Sequence, residues 1–200
     1  MRIGIFVRIP LKNYQNALNR LILTNPAINI QRETIISETQ RLIIRNRIEE
    51  DVNPYVAIIS DPDVMRYIGE GTPRPYEEAV RAVGKYNGQI KTQGWARFAL
   101  ELKKTGQLMG FCGFDHYNGE LDFGWRLGQE FWGNGYATEA TKEVFRLGRE
   151  KFQFPRIVCI SYEENTGSIN VIEKLDLTFE KEFDFRGNGI VRQYSYECEK

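Results

Sequence analysis

The chain has 200 residues, of which 42% are hydrophobic, and its 27 Lys and Arg balance its 27 Asp and Glu. That length suits one domain with a sizeable core plus an appendage, and a formal charge of zero provides no long-range attraction to nucleic acid or to an anionic membrane. No apolar run approaches a membrane span, no signal-peptide pattern is found, and three cysteines without paired spacing suit a reducing compartment. We therefore expect a cytoplasmic protein that binds neither nucleic acid nor membrane.

The first part of the chain differs in composition from the rest. Residues 1–32 contain five basic residues and not one Asp or Glu. We therefore divide the chain into a basic N-terminal extension, residues 1–38, and a domain, residues 39–200. The extension could pack on the domain, target the chain to an organelle or contact RNA, or the start codon could be assigned too early, and all of these readings stay open.

Within the domain, apolar residues recur at alternating or helical spacings that predict the element order β-α-α-β-β-β-α-β-α-β-β. The predicted strands are residues 41–48, 95–102, 107–114, 121–127, 156–162, 179–185 and 190–196. Short turns join the second, third and fourth strands, which indicates an antiparallel meander. A helix separates the fourth strand from the fifth, so we expect these two to be parallel. The predicted fold class is α/β, a mixed sheet with helices on both faces.

A turn with two glycines lies between the fourth strand and the helix that follows it. Residues 131–140 read Phe-Trp-Gly-Asn-Gly-Tyr-Ala-Thr-Glu-Ala. Gly133 and Gly135 come just before the helix, so several backbone N–H groups face one point where the helix dipole adds partial positive charge. This arrangement suits a pyrophosphate, and a Cβ at Gly135 would obstruct the approach of a phosphate. Such glycines can also form nothing more than a tight connection.

Two motifs resemble those of a known family. Gly135 and Ala137 match the pattern Gln/Arg-x-x-Gly-x-Gly/Ala, although Trp132 replaces its leading residue, and Asn165 to Ser168 match Asn-x-x-Ser/Ala before a short helix. Together with the order of elements, they make residues 39–197 similar to the GNAT N-acetyltransferases. The sequence of the glycine turn is most similar to the sequences of one branch of that family, the ribosomal-protein alanine N-acetyltransferases.

The resemblance implies a mostly antiparallel sheet of about seven strands whose central strands splay apart. It implies acetyl-CoA as the acyl donor, no metal, and a protein N-terminus or a small molecule as the amine acceptor; a homodimer is left open. The residues implied in coenzyme A binding are Trp125, Arg126, Leu127, Trp132, Gly133, Asn134, Gly135, Tyr136, Ala137, Thr138, Asn165 and Ser168. Asn165 could instead act as the N-cap of the short helix.

The reaction implied is direct attack of an amine on a thioester, which needs an oxyanion donor, a base and an acid. Many relatives use a Tyr seven residues beyond the Asn as the acid, but that position is Ile172 here, so Ser168 is the candidate. Asp122 and Asp184 are the candidate bases. Each of the three could instead be structural, Ser168 as a first-turn residue and the two carboxylates as solvated strand residues.

Three other functions stay open at this point. An aminoglycoside-like or polyamine acceptor would favour an acidic entrance, which Asp122, Asp184, Glu163 and Glu164 allow. A catalytically silent acyl-CoA-binding module is compatible with Ile172 in the usual Tyr position. Dinucleotide binding at the glycine turn is weak, because the third glycine is missing and the preceding strands are antiparallel.

Overall fold

The computed structural model describes residues 34–185 and 187–198. Only the last five residues of the N-terminal extension, residues 34–38, are therefore described. The hypotheses about the rest of the extension lie outside the described residues. The strands are β1 Ile35–Glu38, β2 Leu42–Arg45, β3 Arg97–Leu102, β4 Gln107–Tyr117, β5 Glu120–Leu127, β6 Arg156–Tyr162, β7 Thr178–Asp184 and β8 Ile190–Glu197. The α-helices are α1 Val52–Ile59, α2 Pro62–Met65, α3 Tyr76–Gln93, α4 Tyr136–Glu150 and α5 Thr166–Ile172. Short 3-10 turns cover Glu49–Asp51 and Gln129–Phe131.

The eight strands form one mixed sheet in the order β1-β2-β3-β4-β5-β6-β8-β7. The pairs β3–β4 and β4–β5 are antiparallel, which confirms the predicted meander. The pair β5–β6 is parallel, as the intervening helix α4 predicts. Strand β8 lies between β6 and β7 and is antiparallel to both, so the last hairpin inserts its second strand into the sheet.

The described residues form eight strands, one more than the seven expected, and the additional strand is β1. It has only four residues and pairs with β2 in antiparallel register, for example Glu38 with Ile43. Four residues that are exposed or half-buried give too short and too polar a signal to read as a strand from sequence. The sheet begins at Ile35, so residues 35–38, placed in the extension by composition, pair with the domain.

The gap between β5 and β6 is the feature that positions the site. The two strands pair through a single residue couple, Asp122 with Val158, and diverge beyond it. The pairing of β4 with β5 stays in register from Tyr117–Glu120 to Gly110–Leu127, so β5 itself carries no bulge. The register shift of the meander lies instead between β3 and β4, next to Leu100. The predicted splay of the central strands is therefore confirmed, and it follows from the departure of β6.

Each face of the sheet packs against helices. On β3, Phe98 and Leu100 belong to the apolar cluster that includes Val144 of α4. Ala99, between them, belongs to a second cluster with α1 and α3. The alternation of a strand sends successive side chains to opposite faces, so both faces bury apolar area and the sheet is covered on both sides. Among the helices that the structure describes, none is long and apolar enough to cross a membrane.

Candidate active site

The glycine turn adopts the backbone conformation that only glycine takes easily. Gly133 has φ of 74° and Gly135 has φ of 77°. A residue with a Cβ is strained in this left-handed region, whatever space surrounds it. Gly135 is the N-cap of α4, and no side chain caps that helix. The turn therefore leaves the first turn of α4 open at its N-terminus.

The backbone N–H groups of residues 133–138 are available to a ligand. None of these six N–H groups donates to an acceptor in the described part of the chain; the first bond of the helix runs from the N–H of Glu139 to the carbonyl of Gly135 at 3.0 Å. The four orphan donors of a helix N-terminus and the positive end of its dipole suit an anion. The predicted anion cradle therefore has free donors.

A cavity of about 690 Å³ extends from this turn past the end of β5 to the start of α5. Most of the residues predicted to bind coenzyme A line it, namely Trp125, Arg126, Leu127, Trp132, Gly133, Gly135, Tyr136, Ala137, Thr138, Asn165 and Ser168. Asn134 is the exception. Its side-chain amide turns back to donate to the carbonyl of Trp132 at 2.9 Å, so only its backbone belongs to the cradle.

A smaller cavity of about 210 Å³ adjoins the first. Arg97, Asp122, Cys159 and Tyr162 contribute to its wall. Both cavities share Tyr67, Ile68, Trp125, Arg126, Asn165 and Ser168. These shared residues mark a junction where molecules bound in the two cavities would meet.

Asn165 and Ser168 face each other across the first turn of α5. The N–H of Ser168 donates to Asn165 Oδ1 at 3.2 Å, so Asn165 is the N-cap of the helix, as one of its two readings expected. The Ser168 hydroxyl, half-buried at the junction, makes no hydrogen bond within the described residues. The cap fixes the backbone of Ser168 and leaves its hydroxyl free.

The two candidate carboxylates lie in different surroundings. Asp122 lines the smaller cavity and accepts from Arg97 Nη2 at 2.5 Å. Burial raises the pKa of Asp122 above its ordinary 3.8, although the positive charge of Arg97 opposes the rise. Asp184 lines neither cavity, is exposed, and accepts from the N–H of Gly187 at 2.6 Å. The structure therefore brings Asp122, but not Asp184, into the cavities with Ser168.

The sequence matches a family model, the acetyltransferase (GNAT) domain, over residues 41–178. The match covers more than half of the chain and includes both motifs. The chain belongs to the GNAT acetyltransferase family.

Relatives agree with this GNAT assignment. An uncharacterized N-acetyltransferase p20 of Bacillus licheniformis is 32% identical over 160 residues, which is 78% of this chain and 85% of the relative. The spermidine N(1)-acetyltransferase of Escherichia coli K12 is 28% identical over 153 residues, 74% of this chain and 80% of that protein. The GNAT chain described here is accordingly an N-acetyltransferase.

A solved structure shares the GNAT fold. RimL, a ribosomal L7/L12 α-N-protein acetyltransferase in complex with coenzyme A, superposes with a TM-score of 0.67 at 15% identity, over 82% of this chain and 98% of RimL. At this identity the likeness speaks for the fold alone.

This GNAT chain departs from the family pattern at two positions, and the structure gives the environment of each. Ile172 is fully buried in a cluster with Cys159, Ile169 and Tyr194, so it is a core residue. Trp132 replaces the leading Gln or Arg of the glycine motif, and its indole Nε1 donates to the carbonyl of Leu127 at 2.9 Å. The tryptophan thereby ties the turn to the end of β5.

Lys174, which follows the second motif in the sequence, lines the larger cavity without an ion-pair partner among the described residues. Two other residues of the GNAT site carry no local sequence signal. Arg41 of the β1–β2 loop donates from Nη1 to the carbonyl of Asn134 at 2.9 Å, over 93 residues of chain. Tyr67 lies at the junction, and its hydroxyl donates to the carbonyl of Glu164 at 3.3 Å. Each comes to the site through tertiary packing, which spacing within a segment cannot reveal.

Two residues with reactive side chains, His116 and Cys112, lie outside the two motifs of this GNAT domain. His116 packs edge-on against Trp95, with ring centroids 5.2 Å apart. Burial raises the pKa of the Cys112 thiol well above its ordinary value, which disfavours the nucleophilic thiolate. Within residues 34–185 and 187–198, no group of three or more His, Cys, Asp and Glu could hold a metal ion.

Proposed function

We propose that the protein transfers an acetyl group from acetyl-CoA to a primary amine by direct attack of the amine on the thioester. The proposal rests on the observation that two features lie along the same cavity. Six free N–H groups at residues 133–138 lie at one end of the larger cavity, and the end of β5, beyond its single pair with β6, lines it. A diphosphate with a long, hydrogen-bonding arm has the shape and charge for that cavity.

The residues of the larger cavity fit the parts of coenzyme A in order. The diphosphate accepts from the N–H groups of residues 133–138, and the Lys174 ammonium adds a charge nearby. The pantetheine arm lies along β5 at Trp125 to Leu127, much as an added strand pairs with a sheet edge. Asn165 reaches the arm from the opposite side of the gap. The acetyl group supplies the electrophilic carbonyl at the junction.

The junction provides the groups that attack on a thioester requires. A backbone N–H near Trp125 or Arg126 stabilises the negative oxygen of the tetrahedral intermediate. Ser168 donates a proton to the leaving sulfur, because its hydroxyl is free and lies on the boundary between the two cavities. Asp122 accepts the amine proton, since it lines the smaller cavity and its raised pKa makes it a better base than a solvated carboxylate.

Asp184 is the less favoured candidate for the base. It is exposed outside both cavities, but its charge contributes, after burial, to raising the pKa of Tyr162, which lines the smaller cavity. Its carboxylate is therefore near enough to act through Tyr162 or a water. Direct proton transfer from an amine in the smaller cavity favours Asp122.

Calorimetry and a thiol-release assay together test the proposed function. Titration of acetyl-CoA into the full chain should give one saturable site, and addition of amines should release coenzyme A. Saturable binding with no release for any amine would instead identify a silent acyl-CoA-binding module. No heat on titration would contradict the cradle itself.

A further inference from the structure

Three arginine side chains surround the ring of Phe111 on β4. The guanidinium carbons of Arg47, Arg97 and Arg126 lie 5.5, 5.2 and 5.5 Å from the ring centroid. An aromatic face attracts a cation, but it does not supply the acceptors that five N–H donors of a guanidinium require. Phe111, Arg97 and Arg126 line the smaller cavity, so this concentration of positive charge borders the space expected to hold the acceptor.

The hydrogen bonds of these arginines are incomplete. Among the described residues, Arg97 alone of the three has a carboxylate partner, Asp122 at 2.5 Å. Within the described part of the chain, Arg126 reaches only the Tyr55 hydroxyl, at 3.4 Å, and its Nε is buried without an acceptor. Arg47 is fully buried, and neither of its Nη atoms has an acceptor among the same residues.

Neighbouring elements of the described chain cancel the charge only in part. Asp115 of β4 is held by Lys85 of α3 at 2.5 Å, and its charge also favours the charged form of Arg97. Glu78 of α3 is close enough for its charge to favour the charged form of Arg126, but no hydrogen bond or ion pair joins the two. Burial, and next the positive charge of Arg97, lower the pKa of Arg126 below its ordinary value. The guanidinium of Arg126 therefore lacks a close negative partner within the described chain.

Buried charges in proteins are paired or hydrogen-bonded, because an isolated one loses its solvation without compensation. Arg126 is half-buried, lines both cavities and has no such partner within the described residues, so an anion bound in the smaller cavity would supply one. We propose that the acceptor is a small primary amine that also carries an anionic group, a carboxylate or a phosphate, and that Arg126 and Arg97 bind this anion in the smaller cavity. The inference rests on the proposed acetyl transfer and specifies its second substrate.

The size of the smaller cavity agrees with such an acceptor. Its volume of about 210 Å³ is below the range of roughly 300–1,000 Å³ that is usual for drug-sized ligands. Tyr67, Tyr162 and Phe185 form its apolar wall, with consecutive ring centroids 6.1 and 6.0 Å apart. A molecule the size of an amino acid fills this space.

A polyamine fits the same cavity less well. It needs free carboxylates, and three of the four acidic residues that the sequence offered for this purpose are engaged, while the fourth, Glu164, lines the larger cavity but not the smaller one. Asp122 is paired with Arg97, Glu163 with Arg192, and Asp184 with the N–H of Gly187. Arg97 and Arg126 would also repel a second ammonium group. The charges of the smaller cavity therefore favour an acceptor that carries one amine and an anionic group.

Matched acceptor pairs test the inference on the wild-type chain with thiol release as the readout. The pairs are leucine with leucinamide and phosphoethanolamine with ethanolamine; spermidine and a neutral tripeptide complete the panel. With rates corrected for the fraction of deprotonated amine, we expect one anionic member to exceed its neutral partner at least ~10-fold in kcat/KM, as for loss of one charge-assisted contact. Which pair discriminates tells whether the anion is a carboxylate or a phosphate.

The variant Arg126→Gln should remove that preference. We expect the ratio of kcat/KM for the anionic acceptor to kcat/KM for its neutral partner to fall ~10- to 100-fold, because the substitution removes the guanidinium and keeps the backbone that carries the proposed coenzyme and oxyanion contacts. Arg126→Lys keeps the positive charge but lacks the planar, bidentate guanidinium, so it should retain part of the preference. It is the test to use where Arg126→Gln fails to fold. Arg146→Gln, on the exposed face of α4 and outside both cavities, is the matched control.

The outcomes separate the inference from the function it rests on. Equal or faster transfer to spermidine and the neutral amines would overturn the anionic acceptor and leave acetyl transfer intact. A preference that survives in Arg126→Gln would overturn the role of the arginines. Failure of every amine in the panel to release coenzyme A would contradict the proposed function, and the inference with it.

Discussion

The guanidinium Nε of Arg41 lies 2.6 Å from Oε2 of Glu139, which joins the edge of the sheet to the first turn of α4. The backbone N–H of Arg41 donates to the same carboxylate at 2.9 Å. Its guanidinium also packs over the ring of Tyr136, 4.4 Å from the centroid, and bonds to the carbonyl of Asn134. One residue thus holds the carbonyl side of the glycine turn, while the N–H side stays free for a ligand.

We predict that Arg41→Ala weakens the donor site without removing the chemistry. The turn loses its brace, so KM for acetyl-CoA should rise ~10-fold, while kcat should change less than about 3-fold. Steady-state kinetics of coenzyme A release measures both. Arg146→Ala, which breaks surface pairs with Glu143 and Glu150 on the same helix, should leave both constants unchanged. An unaltered KM in Arg41→Ala would show that the turn holds its shape alone.

Glu139 should link the stability of the domain to pH. Partial burial would raise the pKa of Glu139, but donors from Thr39 and Arg41 outweigh it and lower the pKa below its ordinary 4.5. A carboxylate with a lower pKa in the folded state contributes stability above its unfolded pKa, and this contribution disappears as the pH falls through the folded pKa. We expect Glu139→Gln to be less stable by about 1 kcal/mol at neutral pH, with a difference that shrinks below pH 4.5.

Urea unfolding of both proteins at neutral pH and at two acidic pH values measures this difference. Ser37 donates to Glu143 one turn farther along α4, so Glu143→Gln reports how much any acid in this region contributes. A Glu139→Gln difference that stays constant down to the lowest pH would contradict the linkage.

Gly135→Val should abolish or strongly weaken coenzyme binding. The Cβ of a residue at this position would meet only Arg41 Nη2, at 3.6 Å, so protein crowding is not the obstacle. The obstacle is φ of 77°, which costs a residue with a side chain about 1–2 kcal/mol and more for a β-branched one. The turn relieves this strain by rotating its N–H groups away from the ligand. Calorimetry should show at least ~10-fold weaker binding of acetyl-CoA.

Gly88→Ala provides the matched control for a glycine substitution. Gly88 lies inside α3 with open space where a Cβ would go, so alanine should stabilise the helix by roughly 0.5–1 kcal/mol and leave binding unchanged. Equal affinities in Gly135→Val and wild type would remove the turn from coenzyme recognition.

The parts of the site that sequence could predict are those encoded within one segment. The glycine turn requires positive φ at Gly133 and Gly135, and the cap of α5 joins Asn165 to Ser168, so both leave a local pattern. The cluster around Phe111 leaves none, because Arg47, Arg97 and Arg126 come from three separate segments and meet only through the strand register. Arg41 likewise reaches Asn134 through the fold. Contacts between distant segments depend on register and packing, and a single sequence does not display them.

Ser168→Ala should slow turnover while coenzyme binding persists. The N–H of Ser168 still donates to Asn165, so the helix cap remains, and only the hydroxyl at the junction is lost. We expect kcat to fall ~10²- to 10⁴-fold, the range for loss of a general acid, and the Kd for acetyl-CoA to change less than about 2-fold. Asn165→Ala is the contrasting variant, since it should lower helix stability by about 1 kcal/mol and also weaken coenzyme binding. Wild-type kcat in Ser168→Ala would exclude the hydroxyl from proton transfer.

Asp122→Asn should change the pH profile as well as the rate. A base must be deprotonated to accept a proton, so kcat/KM of the wild type should rise with pH through the pKa of Asp122, which burial holds above 3.8. Asparagine cannot accept the proton, so this acidic limb should be missing and kcat should be ~10²- to 10⁴-fold lower. The substitution also leaves Arg97 without its carboxylate, so thermal unfolding must accompany the kinetics.

Asp184→Asn distinguishes the two candidate bases. Asp184 is exposed in the hairpin, so its replacement should leave the wild-type profile and most of the rate. If instead Asp184→Asn removes the acidic limb, and Asp122→Asn retains it while losing only stability, the proton acceptor lies at the hairpin. Asp122 then serves to hold Arg97 at the wall of the smaller cavity. It remains part of the acceptor site but takes no part in proton transfer.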